Sequence, residues 1–413
     1  MPQSSATNRA VWTLMIAAAA ILAVTMGLRQ SLGLFMAPIG ATTGLGIVSI
    51  SFALAIGQFV WGAVQPIFGA IADQRGAGGV LIFGGVLLAI GMALTPFASS
   101  EWALVLTLGV VSAAGAGAGS FSILIGATAA RLPPERRPFA AGFINAGGSF
   151  GQFVFAPLAQ ALIAAFGWMQ ALWALAATAL LTLPLARKLV NAPKGAAPVA
   201  PGAAVAGEGL SLRAQLRVAL RDRSYLLLHA GFFTCGVHIA FLVTHLPGEV
   251  ALCGLPASVS ATALALIGLF NIAGSLTAGA LGNRYRMKSI LAAMYASRAL
   301  IIALYLVAPR TPTTFYLFAA ALGFSWLATV PPTAGLVGKL FGTRYLGTLF
   351  GLTLLSHQIG GFFGAWLGGL TIARFGDYNW MWYADLLLAA LAAVICLPIR
   401  EARVLRRPAM ASG

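Results

Sequence analysis

An eight-residue stretch set between two hydrophobic runs occurs twice in this chain. Gly69-Ala-Ile-Ala-Asp73-Gln-Arg75-Gly76 returns 210 residues later as Gly279-Ala-Leu-Gly-Asn283-Arg284-Tyr-Arg286, again with an apolar run on each side. Gly142, Gly151 and Gly167 are likewise matched by Gly351, Gly360 and Gly376, at a shift of 209. A period of that length, carried by apolar hairpins, restricts the chain to a duplicated architecture whose halves share one fold.

Composition says where that fold sits. Of 413 residues, 60% are hydrophobic and 8% charged, and the mean hydropathy is +0.91. A membrane span needs about 20 apolar residues. Twelve segments reach that length, roughly 11 to 37, 46 to 72, 79 to 98, 101 to 130, 137 to 164, 168 to 190, 224 to 247, 257 to 282, 288 to 308, 312 to 338, 345 to 373 and 379 to 399. The pattern predicts an all-α membrane protein: twelve transmembrane helices in two pseudo-symmetric six-helix bundles. Parallel repeats of six spans fit a secondary transporter better than a receptor or a membrane enzyme, with function between the halves.

The net charge of +16 is an orientation signal. Of 25 Lys and Arg residues, 21 fall in the N-terminus, the even-numbered connections and the C-terminus; Arg310 and Arg374 lie in the opposite loops, Arg29 and Arg298 inside spans. This asymmetry places both termini in the cytoplasm and leaves no reason to invoke nucleic acid. The first apolar run exceeds a signal-peptide core and is read as a retained span ending before a Pro38 loop. Cys235, Cys253 and Cys396 are odd in number and lack metal-type spacing, so neither a disulfide framework, a metal site nor a cofactor is indicated.

The expected organisation is an N-terminal bundle over 1–190, a cytoplasmic linker over 191–223 and a C-terminal bundle over 224–413. Residues 191–209 are rich in Pro, Ala and Gly and cannot bury a core. After them Leu212, Leu216 and Leu220 recur every four residues, with Arg213, Arg217 and Arg221 one step round. That is a basic amphipathic helix suited to an anionic lipid surface, as a spacer or as a regulatory element.

Ionisable groups at membrane depth cost about 2.5–3.5 kcal/mol each on insertion scales, so each needs a partner, a cavity or a purpose. Of nine acids, Asp385 alone sits well inside a span. Arg29 lies 18 residues into span 1, in the outer half of the membrane at about 1.5 Å per residue. Its planar fork matches a carboxylate, and the alternative is a structural Arg bonded to helix carbonyls. His238 and His245 share one face of span 7, and His357 is central in span 11; each imidazole either meets a substrate or packs, while His229 is read as structural. Polar stripes comprise Gln58 and Gln65 on span 2, Asn145, Ser149 and Gln152 on span 5, Asn271 and Ser275 on span 8, Ser325 and Thr329 on span 10, and Gln358 on span 11. Arg298 and Asp385 on spans 9 and 12 are expected as a structural ion pair, and Pro331-Pro332 must bend or open span 10.

The repeated turn, Gly69-x-x-x-Asp73-x-Arg75-Gly76, resembles the signature loop of the major facilitator superfamily. The resemblance covers nearly the whole chain and implies two bundles that rock about a central cavity lined by spans 1, 4, 7 and 10. It also implies a conformational latch at Gly69, Asp73 and Arg75, with Asn283 and Arg284 in the second copy, where Asn283 replaces the acid. Span 1, Gly27-Leu-Arg29-Gln30-Ser31-Leu-Gly33-Leu-Phe35, and span 5, Gly142-Phe-Ile-Asn145-Ala-Gly-Gly-Ser149-Phe-Gly151-Gln152, are similar to the bacterial branch near monocarboxylate porters and oxalate/formate exchangers. There, a basic residue on span 1 and an Arg, often with an Asp, on span 8 bind the carboxylate and couple it to a proton. Here the span 8 positions read Asn271 and Ser275, and a span 11 lysine is replaced in the neighbourhood of His357 and Gln358.

These observations favour a carrier for a small organic anion, a monocarboxylate first, with or without a co-transported proton. The alternative is a proton-driven multidrug or metabolite exporter of the same superfamily. An enzyme is disfavoured, since no nucleophile with a base and no metal motif is evident. Frequent Ala, Gly and Arg point to a bacterial inner membrane, and monomer is the default that the resemblance implies.

Overall fold

Lipid offers the backbone no hydrogen-bond partners, so apolar runs of this length close their bonds internally as helices. The structure, a computed structural model, describes residues 3–129, 132, 136–191, 211–282, 284–342 and 345–402, and among these there is no β-strand. Eleven segments are long and apolar enough to cross a membrane: spans 1 (Val11–Thr43), 2 (Ile47–Ala72), 3 (Ala77–Phe97), 4 (Glu101–Thr128), 5 (Phe139–Phe166), 6 (Trp168–Leu189), 7 (Arg223–Leu252), 8 (Ala257–Leu281), 9 (Met287–Val307), 10 (Pro312–Phe341) and 12 (Asn379–Cys396). Span 11 is the 30-residue helix Leu346–Phe375. It is as long as the others, but Ser356, His357 and Gln358 at its centre and its glycines lower its hydropathy below theirs.

Span 1 runs further than expected. A helix ends at Gln30, a tight turn covers Leu32–Phe35, and a second helix spans Met36–Thr43. Pro38 lies in the first turn of that second helix, where its missing N–H costs nothing, so it does not form a loop. Span 4 is interrupted between Ala118 and Phe121. Span 10 is interrupted between Ser325 and Val330, so the expected bend at Pro331-Pro332 is a full break just before them. The two breaks occupy corresponding places in the repeats.

Two of the three glycine pairs have paired uses. A Cβ on Gly151 would lie 1.9 Å from the Ala23 carbonyl oxygen of span 1, and one on Gly360 would lie 2.0 Å from the Phe233 carbonyl oxygen of span 7. Both let two helix backbones touch. Gly167 and Gly376 have φ of +83° and +77°, positive values that turn one helix into the next and that glycine adopts most readily. In this conformation Gly69 and Gly279 each face open space. Arg75 and Arg284 are exposed, while the Asp73 side chain and Asn283 lie outside the described residues.

Large apolar side chains face outward, with Phe97 71% and Val307 83% exposed, as a lipid-facing surface requires. Polar side chains turn inward. Between the halves, span 2 lies along span 11 and span 5 along span 8. At the end away from the termini, spans 1 and 7 meet where a Cβ on Gly33 would lie 2.0 Å from the Val243 carbonyl oxygen. Before span 7 the helix Leu212–Ala219 forms with Ser211 as its cap. Arg213, Arg217 and Arg221 are exposed, but the buried positions are Gln215 and Ala219, and Leu220 lies outside the helix and is 52% exposed.

Candidate functional site

Arg29 occupies the last turn of the helix that ends at Gln30, where exposed carbonyls favour a cation. Its guanidinium is half-buried and reaches across the interface between the halves. It donates to Gln58 Oε1 of span 2 and, at 2.9 Å, to Gln358 Oε1 of span 11. The Trp61 ring lies beneath it, 4.4 Å from the guanidinium carbon to the ring centroid, a cation–π contact. Among the described residues no carboxylate oxygen lies within 4.0 Å of Arg29. A positive charge in this position is thus held by neutral amides and a ring face.

The amide of Gln358 continues the network, its Nε2 donating to His357 Nδ1 at 2.7 Å. That bond places the imidazole proton on Nε2, and His357 Nε2 and Trp61 Nε1 are both buried without a partner. An unsatisfied buried donor costs about 1–3 kcal/mol. Beside Arg29 a small cavity of about 40 Å³ opens between spans 1, 2, 3, 4 and 7. Leu28, Leu32, Leu54, Leu88, Met92 and Leu108 form most of its wall, with Gln58, Ser112 and Thr244 as polar points. Span 4 widens into a π-turn over Val105–Ser112, with Ser112 Oγ donating to the Thr107 carbonyl at 2.9 Å; such turns recur at functional positions.

The polar stripes of spans 5 and 8 are brought together with each other rather than with Arg29. Asn145 Nδ2 donates to Ser275 Oγ at 2.7 Å, and Asn271 Nδ2 donates to Ser149 Oγ at 2.7 Å. The break in span 10 joins them, because the Leu327 N–H donates to Asn271 Oδ1 at 2.9 Å. Gln30 Nε2 donates to Gln152 Oε1 at 3.2 Å, tying span 1 to span 5. Gln65 Oε1 accepts from Ser122 Oγ at 3.0 Å within the first half.

The histidines of span 7 point elsewhere. His245 Nε2 bonds the Ala365 carbonyl at 2.7 Å, and its Nδ1 lies 3.4 Å from Tyr378 Oη, the pattern of a packed, satisfied ring. His229 Nδ1 lies 2.5 Å from Ser356 Oγ. His238 Nδ1 lies 2.5 Å from Asp385 Oδ2, both side chains buried. Asp385 therefore pairs with His238, and the expected Arg298–Asp385 bridge is not made. Arg298 instead donates to the carbonyls of Ser325 and Trp326 and to Cys235 Sγ: interrupting span 10 frees carbonyls that need a donor, and the guanidinium supplies several.

Trp61 is not among the polar and charged positions that the sequence marks. Its signal is spacing, since it follows Gln58 by three residues on one helix and so shares that residue's face.

A family model described as Major Facilitator Superfamily matches residues 13–365. "Monocarboxylate transporter 13" of Bos taurus is 29% identical over 398 residues, covering 94% of this chain and 89% of the relative. "Monocarboxylate transporter 11" of Homo sapiens is 26% identical over 398 residues, covering 94% and 83%. "Oxalate:formate antiporter" of Oxalobacter formigenes is 22% identical over 389 residues, covering 94% and 90%. Both expected groups are represented, and the mammalian relatives widen the kinship beyond a bacterial branch. The repeated halves, the helical membrane architecture and a match over most of the chain agree: this protein belongs to the major facilitator superfamily.

Proposed function

We propose that the protein moves a small organic anion, a monocarboxylate, across the cytoplasmic membrane by alternating access, with Arg29 as its fixed cation. Members of this superfamily are transporters rather than enzymes, and the relatives named above include two monocarboxylate transporters and an oxalate:formate antiporter. The observation that carries the reading is the guanidinium of Arg29, bonded to two neutral amides and, among the described residues, to no carboxylate. An ion pair at 4 Å is worth about 4 kcal/mol at an effective dielectric of 20, so an entering carboxylate recovers much of what placing that charge in the membrane costs. The largely apolar cavity wall suits a substrate with one charged end.

A conformational consequence follows from which amides are displaced. Gln58 belongs to the first half and Gln358 to the second, and Arg29 bridges them. A carboxylate that takes its donors removes that bridge and frees the halves, 1–190 and 224–413, to rock about the linker 191–223. The turns at Gly69, Asp73, Arg75 and at Asn283, Arg284 would act as latches in that motion. Monomeric assembly and cytoplasmic termini in a bacterial inner membrane complete the proposal.

The test is uptake of labelled short mono- and dicarboxylates into liposomes containing the purified protein, beside Arg29→Gln. Saturable monocarboxylate uptake that falls at least tenfold in a folded Arg29→Gln protein is the expected result. Uptake indifferent to that substitution refutes the role of Arg29. If no anion moves while proton-dependent dye efflux does, the exporter reading replaces this one.

A further inference from the structure

Outside the Arg29 site, a buried acid–base pair in the membrane-spanning part is left unused by the anion reading. His238 of span 7 and Asp385 of span 12 are 2% and 1% exposed and meet at 2.5 Å through Nδ1 and Oδ2. Since the carboxylate accepts, Nδ1 carries the proton, and the neutral ring keeps a bare lone pair on Nε2. That Nε2 is buried and has no partner, as does Asp385 Oδ1. We infer that this pair is the transporter's proton-binding site: one proton from water forms an N–H bond at Nε2, converting it to an imidazolium–carboxylate pair, and leaves on the other side of the membrane. The inference rests on the transport reading and adds a cosubstrate to it.

Buried ionisable side chains also lie on spans 7 and 12 and on the spans packed with them. Span 7 adds Cys235, span 9 adds Arg298 and Tyr295, span 11 adds His357, span 12 adds Cys396, and span 8 has no ionisable side chain. Arg298 is committed to the Ser325 and Trp326 carbonyls and to Cys235, so the local charge is one guanidinium and one carboxylate. Proton uptake adds a second positive charge. It arrives at the same turn, because the His238 and Trp326 ring centroids are 5.6 Å apart while Arg298 holds the Trp326 carbonyl. The new charge lies beside the Trp326 ring and repels the guanidinium that closes the break in span 10, so protonation acts on the interrupted helix.

A short packed path joins this pair to Arg29. Two residues before His238, a Cβ on Gly236 would lie 1.7 Å from the His357 carbonyl oxygen. His357 bonds Gln358 at 2.7 Å, and Gln358 bonds Arg29 at 2.9 Å. Anion binding that releases Gln358 from Arg29 is therefore felt where span 11 packs on span 7, and linkage requires the effect to be reciprocal.

The test has two arms on the full-length protein in liposomes. Solid-state NMR of protein labelled with ¹⁵N-histidine is tractable with His 4 in the sequence. One ring is expected to gain a proton at Nε2 on acidification, with its signal absent in His238→Gln. In the second arm the probe is labelled lactate. With a two-unit inward pH gradient, one-to-one symport accumulates it up to about 100-fold, tenfold per unit, above protein-free liposomes. Asp385→Asn and His238→Gln are expected to abolish that accumulation while keeping gradient-free lactate counterflow within about threefold. Accumulation that survives in both variants, counterflow lost with it in a folded protein, or no titrating His238 ring each overturns the inference. If the wild type moves no lactate, the transport reading fails for this probe, and the NMR arm alone decides whether His238 binds a proton.

Discussion

Replacing Gly33 with Ala should open the end of the molecule away from the termini. In this structure a Cβ at position 33 would lie 2.0 Å from the Val243 carbonyl oxygen and 3.0 Å from that of Thr244. Both obstacles are backbone, so no side chain can swing aside. Spans 1 and 7 must separate there by at least about 1 Å before a methyl group fits. Overpacking of this kind costs about 1–3 kcal/mol, and the cost falls on this conformation, not on one in which the spans are already apart. Taking about 2 kcal/mol, the ratio of the two conformations shifts about 30-fold. Spin labels on Ala41 and Ser258, both exposed near that end, would report it by double electron–electron resonance on a cysteine-free background. A longer-distance population growing in Gly33→Ala is expected. Gly126→Ala is the control, since a Cβ there meets no atom within 4 Å. An unchanged distance distribution in a folded Gly33→Ala protein would show that the contact does not decide which conformation prevails.

Three further outcomes follow from named contacts. Gly167 combines φ +83° with ψ 167°, a region that side chains avoid, whereas Gly376 at φ +77° and ψ −1° is in the left-handed region that Asn tolerates; thermal unfolding in detergent should fall further for Gly167→Asn than for Gly376→Asn, and equal losses would refute the distinction. Asn271→Ala leaves the Leu327 N–H and Ser149 Oγ without the partners they have at 2.9 and 2.7 Å; a loss of about 1–3 kcal/mol should appear as a lower melting temperature, and an unshifted transition would mean that water replaces the amide. Trp61→Phe keeps a ring face under Arg29 while Trp61→Leu removes it; a cation–π contact of about 0.5–2 kcal/mol predicts that anion affinity in a transport assay drops about 2- to 30-fold for Leu and less for Phe.

How much of this was legible along the chain depends on whether a property is local. Hydropathy and the 209-residue repeat mark the spans, because lipid forces any long apolar run into a helix whatever its neighbours. The pairing of Gly151 with Gly360 and of Gly167 with Gly376 also shows in the sequence, and each pair has one shared use in the structure. Arg29 stands out for the cost of a charge in the membrane, which a single position reveals.

Partner choice is different, because it depends on how helices rotate and where they break. Arg298 and Asp385 are the charges set well inside spans 9 and 12, and their proximity is the natural expectation. The break in span 10 instead leaves carbonyls that Arg298 satisfies, and Asp385 is left to His238. For the same reason the Asn and Ser residues of spans 5 and 8, spaced like a cavity lining, bond across the interface between the halves. Residues far apart in the chain determine those contacts together, so no window of sequence contains them. Spacing says which side chains share a helix face; packing says what that face meets.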